Sequence, residues 1–297
     1  LYVPKNYLAQ CSQLYVNAGN NKSICIGDNV QIGGASTIYP ILPNYSYTFI
    51  WSPSYNINSV SSTNPTVSPT TTTTYTLTVY RTDSLGNVCT ESDSIIVSVN
   101  PLPVISMSNL SDICESDNPL VLSVGSPIGG TYSGPGVSNG YFDPNVAGTG
   151  DHNITYTVTN SYGCSNSIIK QITVNSLPSA ILLPNPTSGV SCPPPCSPGS
   201  DWTKCGFLPG NILDLSLMFI SSGSNSVKYS IDWGNGQSID SNLSPSNYYN
   251  SIYSIPGYYN INLFLLDTIT GCTNTVSQDL YWGSNPGGGI TSVSYTH

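Results

Sequence analysis

The sequence predicts an all-β chain, a row of small β-sandwich domains stapled by disulfides. Three observations carry this. Short stretches of alternating apolar and polar residues recur along the chain, and a period of two marks half-buried strands. Two of those stretches close in nearly the same way, at Val99-Asn100-Pro101-Leu102-Pro103 and, 75 residues on, at Val174-Asn175-Ser176-Leu177-Pro178. Nine cysteines are spread through a chain that holds only two histidines.

Composition supports strands over helices. Charged residues make up 7 % of the chain, and glutamate occurs only at Glu91 and Glu115. Long helices lean on Ala, Leu, Glu and Lys, whereas Ser, Thr, Asn, Gly, Pro and Tyr fill this chain. A hydrophobic share of 38 % and an aromatic share of 10 % are enough to build cores, which argues against disorder. The net charge of −9, with six Lys and Arg, leaves little to displace counterions from a phosphate backbone, so nucleic acid is not an expected partner. An anionic membrane surface is disfavoured for the same reason. No run of 18 apolar residues is present, so membrane insertion is not expected.

The repeats set the expected boundaries: an N-terminal segment at 1–13, domains at 14–100, 101–178 and 179–283, and an exit segment at 284–297. The first domain reads as Cys25 to Ile32 (a cysteine, a turn and a strand), then strands at Tyr45–Trp51 and Thr72–Val79, then Cys89 before a last strand. The second repeats this logic with Cys114, Leu120–Leu122, Ile154–Val158 and Cys164. Glycines between Gly129 and Gly136 mark turns and bulges. The third has strands at Ile212–Phe219, Tyr258–Leu266 and Thr275–Leu280. Its Lys228–Asp232 strand leads into Asn235-Gly236, a strong hairpin signal.

Both ends read as cut from a longer frame. The chain opens on Leu1 without an apolar export segment, and Gln10 spoils the lipoprotein-like box before Cys11. Val293 to His297 looks like a translated library adapter, so the tail is set aside from fold reasoning.

Nine cysteines in a β-rich chain read as disulfides and place the chain in an oxidising compartment. Metal-type Cys-x2-Cys pairs are missing. Each domain has one cysteine near an early strand and one before its last strand. That order pairs Cys25 with Cys89, Cys114 with Cys164, and Cys205 with Cys272. Cys192 and Cys196 either bridge each other or send one partner to Cys11.

The motifs resemble known repeat families. Cys25-Ile26-Gly27-Asp28, Trp51-Ser52-Pro53, Asn64-Pro65, Ser68-Pro69-Thr70 and Thr73-Thr74-Tyr75 resemble immunoglobulin-like repeats of large surface proteins in the phylum Bacteroidota. Gly129-Gly130-Thr131-Tyr132-Ser133-Gly134 and Phe142-Asp143-Pro144 resemble a second repeat type of the same proteins. Ile231-Asp232-Trp233-Gly234-Asn235-Gly236 and Tyr253-x-x-Pro256-Gly257-x-Tyr259 resemble a PKD domain, with Ile231 replacing that family's first Trp and Asn235 its second Asp. The resemblance implies three tandem immunoglobulin-like and PKD-like β-sandwich domains. It also implies export to the cell surface by the type IX route, and a place in adhesins, gliding-motility proteins or accessory regions of secreted hydrolases.

No catalytic, metal or cofactor site is expected. A Gly-x-Ser-x-Gly elbow is absent, and His152, on a turn before a strand, reads as an exposed loop residue. Asp and Glu are scattered singly, unlike a glycosidase pair. Asp232, Asn235 and Asp240 could offer oxygens to calcium, but capping a hairpin explains them as well. Trp51 and Trp233 read as core anchors beside the disulfides. Asp83-Ser84-Leu85, Asp93-Ser94-Ile95 and Asp267-Thr268-Ile269 resemble the O-glycosylation triplet of Bacteroidota, making Ser84, Ser94 and Thr268 candidate acceptors. The expected function is a non-catalytic structural or adhesive module with surface glycans or other cell-surface proteins as partners. The alternative is a spacer or glycan-binding region of a secreted hydrolase.

Overall fold

The computed structural model describes residues 14–34, 38–39, 41–185, 202–204, 213–221 and 226–282. Strands are the main regular structure of the described chain, with one short helix, Pro144–Ala147, among the described residues. Asp143 caps that helix by accepting from the amides of Asn145 and Val146. The chain divides into two compact units. One holds Leu1–Ser108, Val124–Tyr132 and Thr155–Ile169; the other holds Asn109–Ser123, Ser133–Ile154 and Lys170–His297.

In the first unit a four-stranded sheet has the order Lys22–Cys25, Val88–Asn100, Thr73–Thr82, Ser46–Ser52. The first pair is parallel and the others antiparallel. Alternation dictates its faces. Tyr75, Leu77 and Val79 are buried on one side, with Thr76 and Thr78 between them. They pack with Trp51, Ile95 and Val97 against Val16, Ile32 and Val67, which belong to smaller strands and loops on the opposite side. The result is a sandwich around a Trp51 that is 1 % exposed. Its indole donates to the Ser62 carbonyl at 2.8 Å, satisfying the one polar atom that burial would strand.

In the second unit a three-stranded sheet, Ala180–Pro184, Leu213–Ser221, Tyr248–Tyr253, faces a five-stranded one. The latter has the order Trp202–Lys204, Thr273–Trp282, Gly257–Asp267, Val227–Asp232, Asp240–Leu243. Leu213, Leu215, Leu217 and Phe219 alternate inward from one sheet, and Tyr229, Ile231, Ile261, Leu263 and Leu265 from the other. Around residues 113–175 lie two larger sheets, Ile113–Cys114, Ser165–Asn175, Gly150–Thr159, Thr131–Ser133, and Leu120–Val121, Tyr141–Phe142, Val137–Ser138, and Ser106–Met107 pairs with Gly125–Ser126 in a two-stranded one. An immunoglobulin-like β-sandwich architecture therefore follows from the alternation.

Two glycines carry specific packing. A side chain on Gly130 would put Cβ 2.5 Å from the Tyr156 ring, and the Gly130 amide donates to the Tyr156 hydroxyl at 2.9 Å. The Gly-Gly-Thr-Tyr run therefore serves close approach to Tyr156 as well as turning, with the Tyr132 ring tilted against it at 4.6 Å. Gly234 sits at φ 69°, and a Cβ there would lie 2.3 Å from the Asn260 carbonyl oxygen.

The expected hairpin forms around Asn235-Gly236, but through a longer loop than a two-residue turn. Strands Val227–Asp232 and Asp240–Leu243 are joined by residues 233–239, and positive φ falls on Gly234 and Gly236 rather than Asn235. The reason is that Asn235 spends its amide on Ser251 Oγ at 2.9 Å and the Ile252 carbonyl at 3.2 Å, pinning the loop to another strand.

Gly234→Ala is expected to lower stability by more than 2 kcal/mol, since it adds a backbone clash to left-handed strain. Tyr253→Phe, which removes the buried donor to the Trp233 carbonyl at 2.8 Å, is expected to cost about 1 kcal/mol. Urea denaturation of the two variants beside the parent checks both, and equal effects would contradict this account.

Candidate functional site

The cysteines define the most distinctive local geometry. Strand Lys22–Cys25 runs parallel to Val88–Asn100 and sets Cys25 opposite Asn100. Strand Ile113–Cys114 runs parallel to Ser165–Asn175 and sets Cys114 opposite Asn175. Cys89 and Cys164 stand at the far ends of these long strands, each eleven residues upstream of the Asn. Eleven residues of strand span about 36 Å at ~3.3 Å each. A disulfide needs Cα atoms within about 7 Å. Pairing inside each repeat is thus geometrically barred, and the expected Cys25–Cys89 and Cys114–Cys164 bonds are replaced.

In the first unit Cys25 bonds to Cys164, with Cα atoms 5.6 Å apart. In the second unit Cys114 bonds to Cys272, at 5.7 Å. The second bond also overturns the expected Cys205–Cys272 pair. Cys89 is disulfide-bonded as well, and its partner lies outside the described residues, as do Cys11, Cys192, Cys196 and Cys205. The sequence separations are 139 and 158 residues. Closing a loop that long removes about 5 kcal/mol of unfolded-chain entropy in the chain-entropy model, each bond counted singly.

Both bonds sit in the same setting. After Cys25, Asp28 turns back so that its carboxylate accepts from the Cys25 amide at 3.3 Å, while its own amide donates to the Cys25 carbonyl at 3.0 Å. Asp117 does the same for Cys114, at 2.8 and 3.0 Å. The amides of Ile26 and Glu115 then donate to the Asn100 and Asn175 carbonyls. On the other side, Asn166 donates its side-chain amide to the Pro103 carbonyl at 3.1 Å, and Asn274 donates to Pro178 at 2.9 Å. Each Asn stands two residues after the second cysteine. A bond, an aspartate turn and an asparagine clamp on a proline carbonyl thus form one joint, built twice.

The turns before the late cysteines are equivalent too. Asp83 accepts from the amides of Leu85 and Asn87, Asn160 from Tyr162 and Cys164, and Asp267 from Ile269 and Thr270. The Asn87 side chain, its amide and neighbouring amides hold the Asp83 carboxyl below its ordinary range. The Ile269 amide does so first for Asp267, with Ser226 and Thr270 adding to it. Ser84 and Thr268 lie exposed in these turns, and the Thr268 hydroxyl donates to the Ser226 carbonyl at 2.8 Å. Ser94 lies mid-strand, its hydroxyl 2.8 Å from that of Thr76 and its neighbour Ile95 fully buried.

Other sequence candidates take structural roles. His152 lies within strand Gly150–Thr159, half-buried rather than in an exposed loop. Its Nε2 is 2.8 Å from the Gly148 carbonyl, and its ring packs beside Phe142. Asp232 accepts from the Gly234 amide, Asn235 from Gln237, and Asp240 from the Trp233 indole at 2.8 Å. Among the described residues, no three His, Cys, Asp or Glu side chains gather as a metal site. Trp233 is 2 % exposed, yet neither bond pins the facing sheets around it or around Trp51. Burial, with Tyr259 and Asp232 nearby, pushes the Tyr253 phenol above its ordinary range.

Composition gave no sign of Arg81, which is 1 % exposed and lies over the Tyr45 ring at 5.0 Å. Tyr258, on the five-stranded sheet, is 75 % exposed and packs on Tyr281 at 4.6 Å. A shallow groove of about 480 Å³ on the same sheet is lined by Lys228, Asn242, Phe264 and Asn274, among others. No described helix is long and apolar enough to cross a membrane.

No protein-family model and no curated protein matches the chain. Solved structures similar to it include a cadherin segment and two bacterial adhesin regions. One is the EC22-24 segment of mouse cadherin-23, at 11 % identity over 92 % of this chain and 99 % of that one, TM-score 0.27. Another is the Ca2+-stabilised ice-binding adhesin of an Antarctic bacterium, at 11 % over 91 % and 73 %, TM-score 0.31. A third is the sialic-acid-binding region of a Streptococcus sanguinis adhesin, at 14 % over 91 % and 78 %, TM-score 0.22. TM-scores this low transfer no ligand to this chain.

The turn carboxylates predict a pH dependence. A lowered folded pKa gives stability that is present above the unfolded value near ~4 and lost as pH falls through the folded value. Asp83→Asn with Asp267→Asn keeps the acceptor, as Asn160 does naturally, but removes the titration. The double variant is expected to lose less stability between pH 5 and pH 2.5 than the parent, read from urea midpoints. Identical losses would contradict the assignment.

Proposed function

We propose that the chain is a non-catalytic structural or adhesive part of a larger extracellular protein, with domains at 14–100, 101–178 and 179–283. The observation that carries this reading is the twice-built joint. A disulfide, an aspartate turn and an asparagine clamp recur at a proline linker, an investment in the connection between repeats rather than in a cleft. Disulfides persist in oxidising surroundings, which supports an extracellular location. Membership of Bacteroidota surface repeats, a PKD assignment for 179–283 and export by the type IX route rest on the sequence resemblance alone. Low charge and a Ser/Thr/Asn-rich surface suit a soluble module with glycan or protein surfaces as its partners.

The alternative, a glycan-holding spacer of a secreted hydrolase, is favoured by one observation. Exposed Tyr258 against Tyr281 offers an aromatic platform, and such faces stack on sugar rings.

The full chain, incubated with a panel of insoluble polysaccharides, separates the readings. The structural reading predicts that it releases no soluble sugar and that Tyr258→Ala with Tyr281→Ala leaves its distribution unchanged. Retention that the double variant abolishes would favour the spacer reading. Sugar release by the chain itself would overturn both.

A further inference from the structure

The two described disulfides interlace. Cys25 and Cys164 enclose Cys114, and Cys114 and Cys272 enclose Cys164. A pull applied at the two ends of the chain therefore has a short cut. It passes from residue 25 across to 164, runs backwards along the chain to 114, and crosses to 272. Residues 26–113 and 165–271 lie off that path. They contain most of both cores, including Trp51, Tyr75 and Ile95 in one, and Leu215, Phe219 and Ile231 in the other.

We infer that the chain is a tether of limited extension, in which interlaced disulfides carry load past the two cores. A domain stabilised by only about 5–15 kcal/mol unfolds under tension and lengthens a tether many-fold. Here unfolding either core adds little length, because only Leu14, Val16, Ala18 and Ile24 of one and Leu280 and Trp282 of the other lie in the loaded line. Only the segment 114–164 and the outer ends can extend. The bond at Cys89 can shorten the path further but cannot lengthen it. Serial pairing inside each domain would have left every linker and every loop edge in the line. The end-to-end length of the last strands is what enforces interlacing instead.

This inference rests on the structural reading above, yet the two fail separately. A chain that held glycans would still show these contour lengths, and a chain without glycan affinity could lack them.

The test is single-molecule stretching of the full chain between terminal handles, with and without reductant. Cys89→Ser is combined with Cys11→Ser, so that the two described bonds set the length of an interlaced chain, since Cys192, Cys196 and Cys205 lie inside the bypassed 165–271. Contour length at high force does not depend on whether a variant refolds. Reduction is expected to add the roughly 195 bypassed residues, about 650–700 Å at ~3.3–3.6 Å per residue. A gain of that size or larger supports the inference. Serial pairs 114–164 and 205–272 would leave roughly 115 residues bypassed in this variant, about 400 Å. A gain at or below that value overturns it.

Discussion

A β-strand is stiff and long, and a disulfide is short. That mismatch governs the covalent plan of this protein. The last strand of the first sandwich, Val88–Asn100, begins beside one cysteine and ends opposite another. Strand Ser165–Asn175 repeats the arrangement, with Cys164 just before it and Cys114 opposite its end. Each strand keeps its two cysteines tens of ångströms apart. The bond that each early thiol makes must then go elsewhere, and from Cys25 and Cys114 it goes to the late cysteine of the following repeat.

The consequence runs from backbone geometry to mechanics. Core stability comes from alternation, with Leu213, Leu215, Leu217 and Phe219 packed in one core with Tyr229, Ile231, Leu263 and Leu265. The bonds are spent at the ends of strands. Aspartate turns at Asp28 and Asp117 hold the cysteine backbones, and Asn166 and Asn274 hold the proline carbonyls. Folding and cross-linking are thus divided between two sets of residues. Buried area makes the sandwich, and sulfur makes the connection.

Much of this was legible in the sequence. Alternation located the long strands to within a few residues, as with Thr72–Val79 against the observed Thr73–Thr82. Burial of Trp51 and Trp233 matches their expected place as core anchors. The disulfide partners were not readable, because cysteine order along a chain does not say which pole of a strand each thiol occupies. Counting residues from each late cysteine to the Asn that closes its strand would have exposed the error. The Asn235-Gly236 signal located the hairpin but not its loop length, which hydrogen bonds to Ser251 and Ile252 set. Arg81 and the half-buried setting of His152 depend on tertiary packing and left no periodic trace. The asparagine clamps were hidden among many asparagines, and only their fixed offset from Cys164 and Cys272 marks them.

Peptide mapping of the unreduced protein tests the central claim most directly. Digestion under acidic conditions that block thiol exchange, followed by mass spectrometry, identifies each linked pair. The account predicts a peptide containing Cys25 joined to one containing Cys164, and Cys114 joined to Cys272. Finding Cys25 joined to Cys89, or Cys114 joined to Cys164, would contradict it.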